Sequence, residues 1–254
     1  MYVRIRRGDR LPSVALAQAR LMLAGASLDI DGDFGQRTGA AVVEFQRRHR
    51  LTETGEVDPP TWDALGARSD LVAVEHIDAT HLDVLLQDGP YLDDGHATVH
   101  AVDSSAQRGV RRAIEHLASR HAPRSVSLLR FHGHGGPGHM IVSGGQTLDA
   151  LNSFGGEYFR PPSPNTLALF GRLGSIMKPY GSIELHGCRV GAAVNGRRLL
   201  TGMASACGVP ISGGVRSQRG GHEASRFEGP TTTICPSGQT LANWSRSVVG
   251  LCQD

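Results

Sequence analysis

Two residues in this sequence have the chemistry of a nucleophile and its proton partner, Cys188 and His134. A thiolate attacks carbonyl carbon, and a nearby imidazole activates the thiol or protonates the leaving group. Each stands in a glycine-bearing turn, His132-Gly133-His134-Gly135-Gly136-Pro137-Gly138 and Gly187-Cys188. Gly135 and Gly187 carry no side chain, so backbone there can approach a substrate closely. The N–H groups of Gly135 and Cys188 are the candidate oxyanion donors. His132 competes with His134, since it too precedes glycine, but the Gly135-Gly136-Pro137-Gly138 turn favours His134. Ser212, Gly213 and Gly214 are candidates for the substrate pocket, with an ordinary loop as the alternative. Cys207, within a helical stretch, reads as core. His186 and His222 read as structural groups or neighbours of the cleft.

These residues need elements to position them. From about residue 73 the pattern alternates strand and helix. Residues 97–102 read as a strand, 106–121 as a helix and 125–131 as a strand that ends at the His134 turn. A hairpin-like piece follows at 140–142, and 143–164 reads as a long surface loop rich in Gly, Ser and Pro. Residues 166–177 read as a helix, 182–186 as a strand ending at Cys188, 195–206 as a helix and 209–212 as a strand. This order predicts a mostly parallel sheet flanked by helices, an α/β domain over 73–254. Ligands in such sheets sit beyond the carboxyl ends of the strands, where His134 and Cys188 both fall.

Residues 1–67 read differently, as a small three-helix domain joined by a linker at 68–72. Val14, Ala17, Leu21 and Ala24 fall at helical spacing after Pro12, and Ala41, Val42 and Phe45 line a second helix. Asp58-Pro59-Pro60 is an N-cap followed by proline in the first turn of a third helix, which carries Trp62 and Leu65. Phe34, Phe45, Trp62 and Leu65 are expected in the core. Asp29, Asp31 and Asp33 imitate a calcium loop, but the twelfth position is Ala40 rather than Glu, so a tight turn with a helix cap is expected instead.

Gly8-Asp9, Gln18, Asp31-Gly32-Asp33-Phe34-Gly35, Thr38, Ala41-Val42, Phe45-Gln46, Leu51, Gly55, Val57, Thr61-Trp62 and Leu65 together resemble the peptidoglycan-binding domain of cell-wall hydrolases. The departures are Leu11, where that family usually has Gly, and Ala17, where it usually has Leu. In the second domain, His134-Gly135 after one strand and Cys188 after the next resemble the caspase-like cysteine peptidases, the group of caspases, gingipains, legumain and separase. His134-Gly135-Gly136-Pro137-Gly138, Gly187-Cys188, Gly196, Cys207-Gly208-Val209 and Ser212 are most similar to a caspase-like family of large bacterial surface proteins. The resemblance spans about residues 97–215. It implies a caspase-like fold, a Cys188–His134 dyad, a protein or peptide substrate and hydrolysis without a metal or organic cofactor.

Composition narrows the remaining classes. The 254 residues carry a net charge of +2 and 39% hydrophobic residues, enough for packed cores and no sign of a nucleic-acid binder. No run of eighteen apolar residues is present, so no membrane span is expected. The N-terminus lacks a signal-peptide pattern, which places the chain in the cytoplasm by default, with export to the cell envelope by a non-classical route as the alternative. Cys188, Cys207, Cys235 and Cys252 read as free thiols, one disulfide among the last three being the other possibility.

Three rival functions stand beside the peptidase. Leu185-His186-Gly187-Cys188 partly matches the motif of L,D-transpeptidases, but Arg189 comes one place early and that family is mainly β. His132-x-His134, with His139, His186 or Cys188, resembles a zinc-ligand pair without the upstream partner of a zinc wall hydrolase. The third is a docking protein with no catalysis. The sequence therefore supports a Cys–His dyad endopeptidase that residues 1–67 direct to peptidoglycan or to a docking protein.

Overall fold

The computed structural model describes residues 4–67, 72–78, 98–102, 110–143, 146–149, 164–218 and 226–253. The expected linker at 68–72, the expected 143–164 loop and the helix start at 106 fall largely outside these residues, as does His222.

The N-terminal domain is built from α1 (Pro12–Leu23), α2 (Gln36–Arg48) and α3 (Pro59–Ala64). Proline opens α1, where its missing N–H has no partner to lose. Asp58 caps α3 by accepting from Thr61 N at 3.0 Å. Ile5, Val14, Leu21, Phe34, Val42, Phe45, Val57, Trp62 and Leu65 form one buried cluster, which places the four expected core residues inside. The Asp31 turn is tied to α1 by Gln18, whose Nε2 donates to Asp31 Oδ1 at 2.8 Å. α2 follows that turn with Gly35 at its N-cap, where no side chain makes a capping hydrogen bond.

Among the described residues the larger domain has a six-stranded sheet in the order β2-β1-β3-β7-β8-β9. Its strands are β1 (Val72–Asp78), β2 (Thr98–Val102), β3 (Val126–His132), β7 (Met177–His186), β8 (Ile211–Gly214) and β9 (Thr231–Ile234). All neighbours are parallel except β8 and β9. A small antiparallel sheet, β4 (Gly135–Gly136), β5 (His139–Ser143) and β6 (Gln146–Asp149), follows β3. Among the described residues its α-helices are α4 (Val110–Arg120), α5 (Pro164–Ile176), α6 (Ala193–Cys207) and α7 (Leu241–Val248). The expected mostly parallel, helix-flanked α/β architecture is present. β6 lies within the stretch read as loop, and β1, β9 and α7 are additions to the sequence reading. β8 runs on through Gly213 and Gly214, two residues past the expected strand end.

Strand alternation gives the central sheet two unlike faces. On one, Val74, Leu129, Phe131, Ile183 and Leu185 join side chains of α4, α5 and α6 in one apolar cluster. On the other, Glu75, Arg130, Glu184 and Ser212 stand side by side in register, with His132 beside His186 one step further along.

The two domains are not separate bodies. Val14 to Leu21 of α1 are all buried, Gln18 and Arg20 among them with hydrogen-bond partners, so the helix is covered on every side. Leu16 packs with Trp244, Val248 and Cys235, and Ala15 and Ala19 pack beside Leu241 and Val249. Arg20 donates to Leu65 O at 2.6 Å and to Val249 O at 2.7 Å, bridging the domains.

Candidate functional site

β3 and β7 are neighbours, and the last pair in their register is His132 opposite His186. The two chains therefore leave the sheet side by side, with Gly133 N donating to His186 O at 3.4 Å. The His134 turn and the Cys188 turn then touch. A Cβ on Gly135 would lie 2.6 Å from Val190 Cγ2 and 3.2 Å from Cys188 O, and one on Gly187 would lie 3.0 Å from Gly133 O. Only glycine permits that approach. The sheet thus brings together the backbones that carry an imidazole and a thiol.

Cys188 is half-buried and His134 is exposed. The sulfur accepts from Gln218 N at 3.3 Å and donates to Gln218 O at 3.4 Å. Arg189 follows in the left-handed region, at φ 58, a conformation that burdens a non-glycine residue by about 1–2 kcal/mol. It is held by Arg189 N donating to Arg216 O at 2.9 Å. The bend turns the chain from β7 toward α6.

His132, the competing histidine, is spent elsewhere. It is buried, its Nε2 bonds Glu75 Oε2, and its ring stacks on His186 with centroids 4.9 Å apart. His186 bonds Glu184 Oε2 at 2.9 Å. Burial, more than any neighbour, pulls the His186 imidazole down to about 4, so it is neutral at pH 7. Arg130 ties both pairs together, donating to Glu75 at 2.8 Å and to Glu184 at 2.9 Å. Burial alone would raise the Glu75 carboxyl, but the Arg130 guanidinium and the His132 bond hold it at about 2. Glu184 is likewise lowered against its burial, chiefly by Arg130. This five-residue network anchors the strand positions two residues before His134 and two before Cys188. Sequence reading missed it. Its signal is the alternation Ser182, Glu184, His186 against Ile183, Leu185, with Arg130 and His132 at matching positions of the adjacent strand.

Ser212 does not stand in an exposed loop as expected: it is fully buried within β8, its hydroxyl 2.8 Å from Thr233 Oγ1. Gly213 and Gly214 back the Cys188 turn instead, with Gly191 N donating to Gly214 O at 2.9 Å. Cys207 is a buried free thiol, as expected of core, and burial pushes it up to about 12. Cys235 is also free and buried. Among the described residues, no group of three or more His, Cys, Asp or Glu is arranged to hold a metal ion, and none of the helices is long and apolar enough to cross a membrane. In the N-terminal domain, a cavity of about 240 Å³ opens between α1 and α2, beside Ala24, Ser27, Glu44 and Arg48.

Comparison with known proteins assigns one part of the chain. Residues 10–65 match the putative peptidoglycan binding domain. No curated protein matches. Among solved structures, a peptidoglycan-binding protein from Clostridioides difficile is 42% identical over 26% of this chain and 41% of its own, at a TM-score of 0.25. The N-terminal domain of SleB is 30% identical over 26% of this chain and 90% of its own, also at 0.25. An L,D-transpeptidase from Xylanimonas cellulosilytica is 36% identical over 30% of this chain and 42% of its own, again at 0.25. The chain thus spans less than half the length of the first and the last of these three.

Proposed function

We propose that this chain, whose residues 10–65 are a peptidoglycan-binding domain, is a cysteine endopeptidase with a caspase-like catalytic domain held at the cell envelope. The observation that carries the reading is the meeting of the His134 and Cys188 turns at the ends of adjacent parallel strands. A half-exposed thiol, an exposed imidazole and a rigid sheet edge favour acyl transfer over a core cysteine.

In this reading His134 takes the thiol proton and the Cys188 sulfur attacks the scissile carbonyl carbon. The new C–S bond forms as the carbonyl π bond shifts onto oxygen, where the N–H groups of Gly135 and Cys188 receive the negative charge. Collapse breaks the C–N bond, and His134 returns its proton to the leaving amine. Water, deprotonated by His134, hydrolyses the thioester and restores the thiol. No metal or organic cofactor takes part. The substrate is a protein or peptide, Gly213 and Gly214 stand behind the reacting turn, and the N-terminal domain sets location.

The test compares wild type, Cys188→Ala and His134→Ala on a denatured proteome and on purified muropeptides. New protein N-termini that disappear with both variants are the expected result. Crosslink exchange on muropeptides would assign an L,D-transpeptidase instead, and chelator-sensitive activity that survives Cys188→Ala would end the thiol mechanism. Binding of the full chain to isolated sacculi, and its loss in Ser27→Trp, which fills the α1–α2 cavity, tests the first domain. Sacculus binding without activity on either substrate leaves a docking protein.

A further inference from the structure

A continuous path of contacts runs from the peptidoglycan-binding domain to the candidate nucleophile. Arg226 donates to Asp9 Oδ1 through Nε at 2.8 Å and Nη2 at 2.6 Å, and Nη2 also reaches Arg7 O at 3.3 Å. Asp9 is itself fixed in the N-terminal domain, where its Oδ2 accepts from Arg6 N at 2.7 Å. The next residue, Phe227, packs against the core of that domain and stacks on His186, with centroids 4.1 Å apart and rings 10° from parallel. Glu228 follows, and its N–H donates to Gln218 Oε1 at 2.8 Å. Gln218 is the residue whose backbone N–H and C=O both engage the Cys188 sulfur.

That last contact covers the sulfur. Gln218 N–H and C=O both lie on it, at 3.3 and 3.4 Å, so a substrate carbonyl or an alkylating reagent reaches the sulfur only after Gln218 moves away. The Gln218 side chain cannot drift, because its Nε2 donates to Arg216 O at 3.0 Å while its Oε1 is held by Glu228. Arg216 O in turn holds Arg189, the residue after Cys188.

We propose that Gln218 is an autoinhibitory clamp on Cys188, locked by the peptidoglycan-binding domain through Asp9, Arg226, Phe227 and Glu228. This rests on the reading of Cys188 as the reacting group. Movement of the N-terminal domain off Arg226 and Phe227 frees the Glu228 end of the clamp and opens the sulfur. The first domain then sets both where the protein works and when.

Thiol alkylation tests the lock without any substrate. Full-length wild type, Arg226→Gln and Gln218→Ala are treated with iodoacetamide, and the rate at Cys188 alone is read by mass spectrometry of its peptide. Both variants are expected to react about fivefold faster or more, the range of ordinary site-to-site coupling. Thr231→Val removes a different interdomain bond, Thr231 Oγ1 to Arg10 O at 2.8 Å, and is expected to leave the rate unchanged. Melting temperatures are recorded for each. An Arg226→Gln protein that melts lower but alkylates at the wild-type rate overturns the proposal, as does a Thr231→Val protein that accelerates equally. Cleavage of peptides with unchanged alkylation ratios would keep the peptidase and remove the lock. Faster alkylation without cleavage by any variant would keep the lock and remove the peptidase.

Discussion

The two faces of the central sheet solve burial in opposite ways. The face under α4, α5 and α6 is apolar and close-packed, with Phe131, Leu185 and Leu129 fully buried. The other buries Glu75, Arg130 and Glu184, none more than 7% exposed at its side chain. Apolar burial is forgiving in direction and roughly proportional to area. Buried charge is tolerated only while every partner stays in place. The first face therefore supplies stability, and the second supplies geometry, holding the ends of β3 and β7 where the His134 and Cys188 turns begin.

The largest test of this contrast is a single substitution on each face. Arg130→Met strands two buried carboxylates and should lower stability by about 3–5 kcal/mol, read by chemical denaturation. Phe131→Ala should lose about as much, ~3–5 kcal/mol, through its cavity. The faces separate in a combined variant. Glu75→Leu, Arg130→Met and Glu184→Leu together should recover part of that loss, since no carboxylate is left orphaned, with the remainder set by His132 and His186, which lose their acceptors. If the triple variant stays as unstable as Arg130→Met, the network contributes more than mutual compensation.

Acid should act on the polar face alone. The Glu75 carboxyl is held at about 2, below its ordinary value of 4.5, so its stabilisation is present above that ordinary value and is lost as pH falls toward 2. His186 is also depressed, to about 4 from 6.5, so the unfolded chain binds its proton first and stability falls as pH drops from 6.5 to 4. Both slopes have the same sign and amount to a few kcal/mol together or more. Thermal melts from pH 7 to pH 3 should show the fall in wild type, and His186→Phe should remove its upper part.

Smaller effects mark the edges of the comparison. Arg226→Gln removes the charged pair that joins the domains, with Asp9 6% and Arg226 27% exposed at their side chains, and should cost about 2 kcal/mol. At the far end, Arg47→Ala breaks exposed pairs with Glu44 and Glu53 on α2 and should leave the melting temperature unchanged within error, because water and salt screen such pairs.

Much of this was legible in the residues. The spacing of Val14, Leu21, Val42, Phe45 and Trp62 announced three helices and their core, and the strand ends at His132 and His186 fell where alternation and glycine put them. The Cys188 and His134 turns were read from residue types alone, and the structure brings their backbones into contact. The Ser212 reading failed because a buried, paired hydroxyl and an exposed loop hydroxyl look identical in a sequence. β9 and α7 were missed because a four-residue strand and an eight-residue helix carry little periodic signal.

What the sequence determined by itself is the chemistry available and the local elements, since side-chain type, helical spacing and turn glycines act over a few residues. What only the tertiary structure decided is which polar groups face one another. Arg130 and Glu184 are 54 residues apart in sequence, and Asp9 and Arg226 are 217 apart. Their pairing depends on strand order and domain docking, and no local pattern encodes it. The same holds for the thiol. Its identity as Cys188 is written in the sequence, but its contact with Gln218 exists only because β8 and the C-terminal segment fold back beside β7.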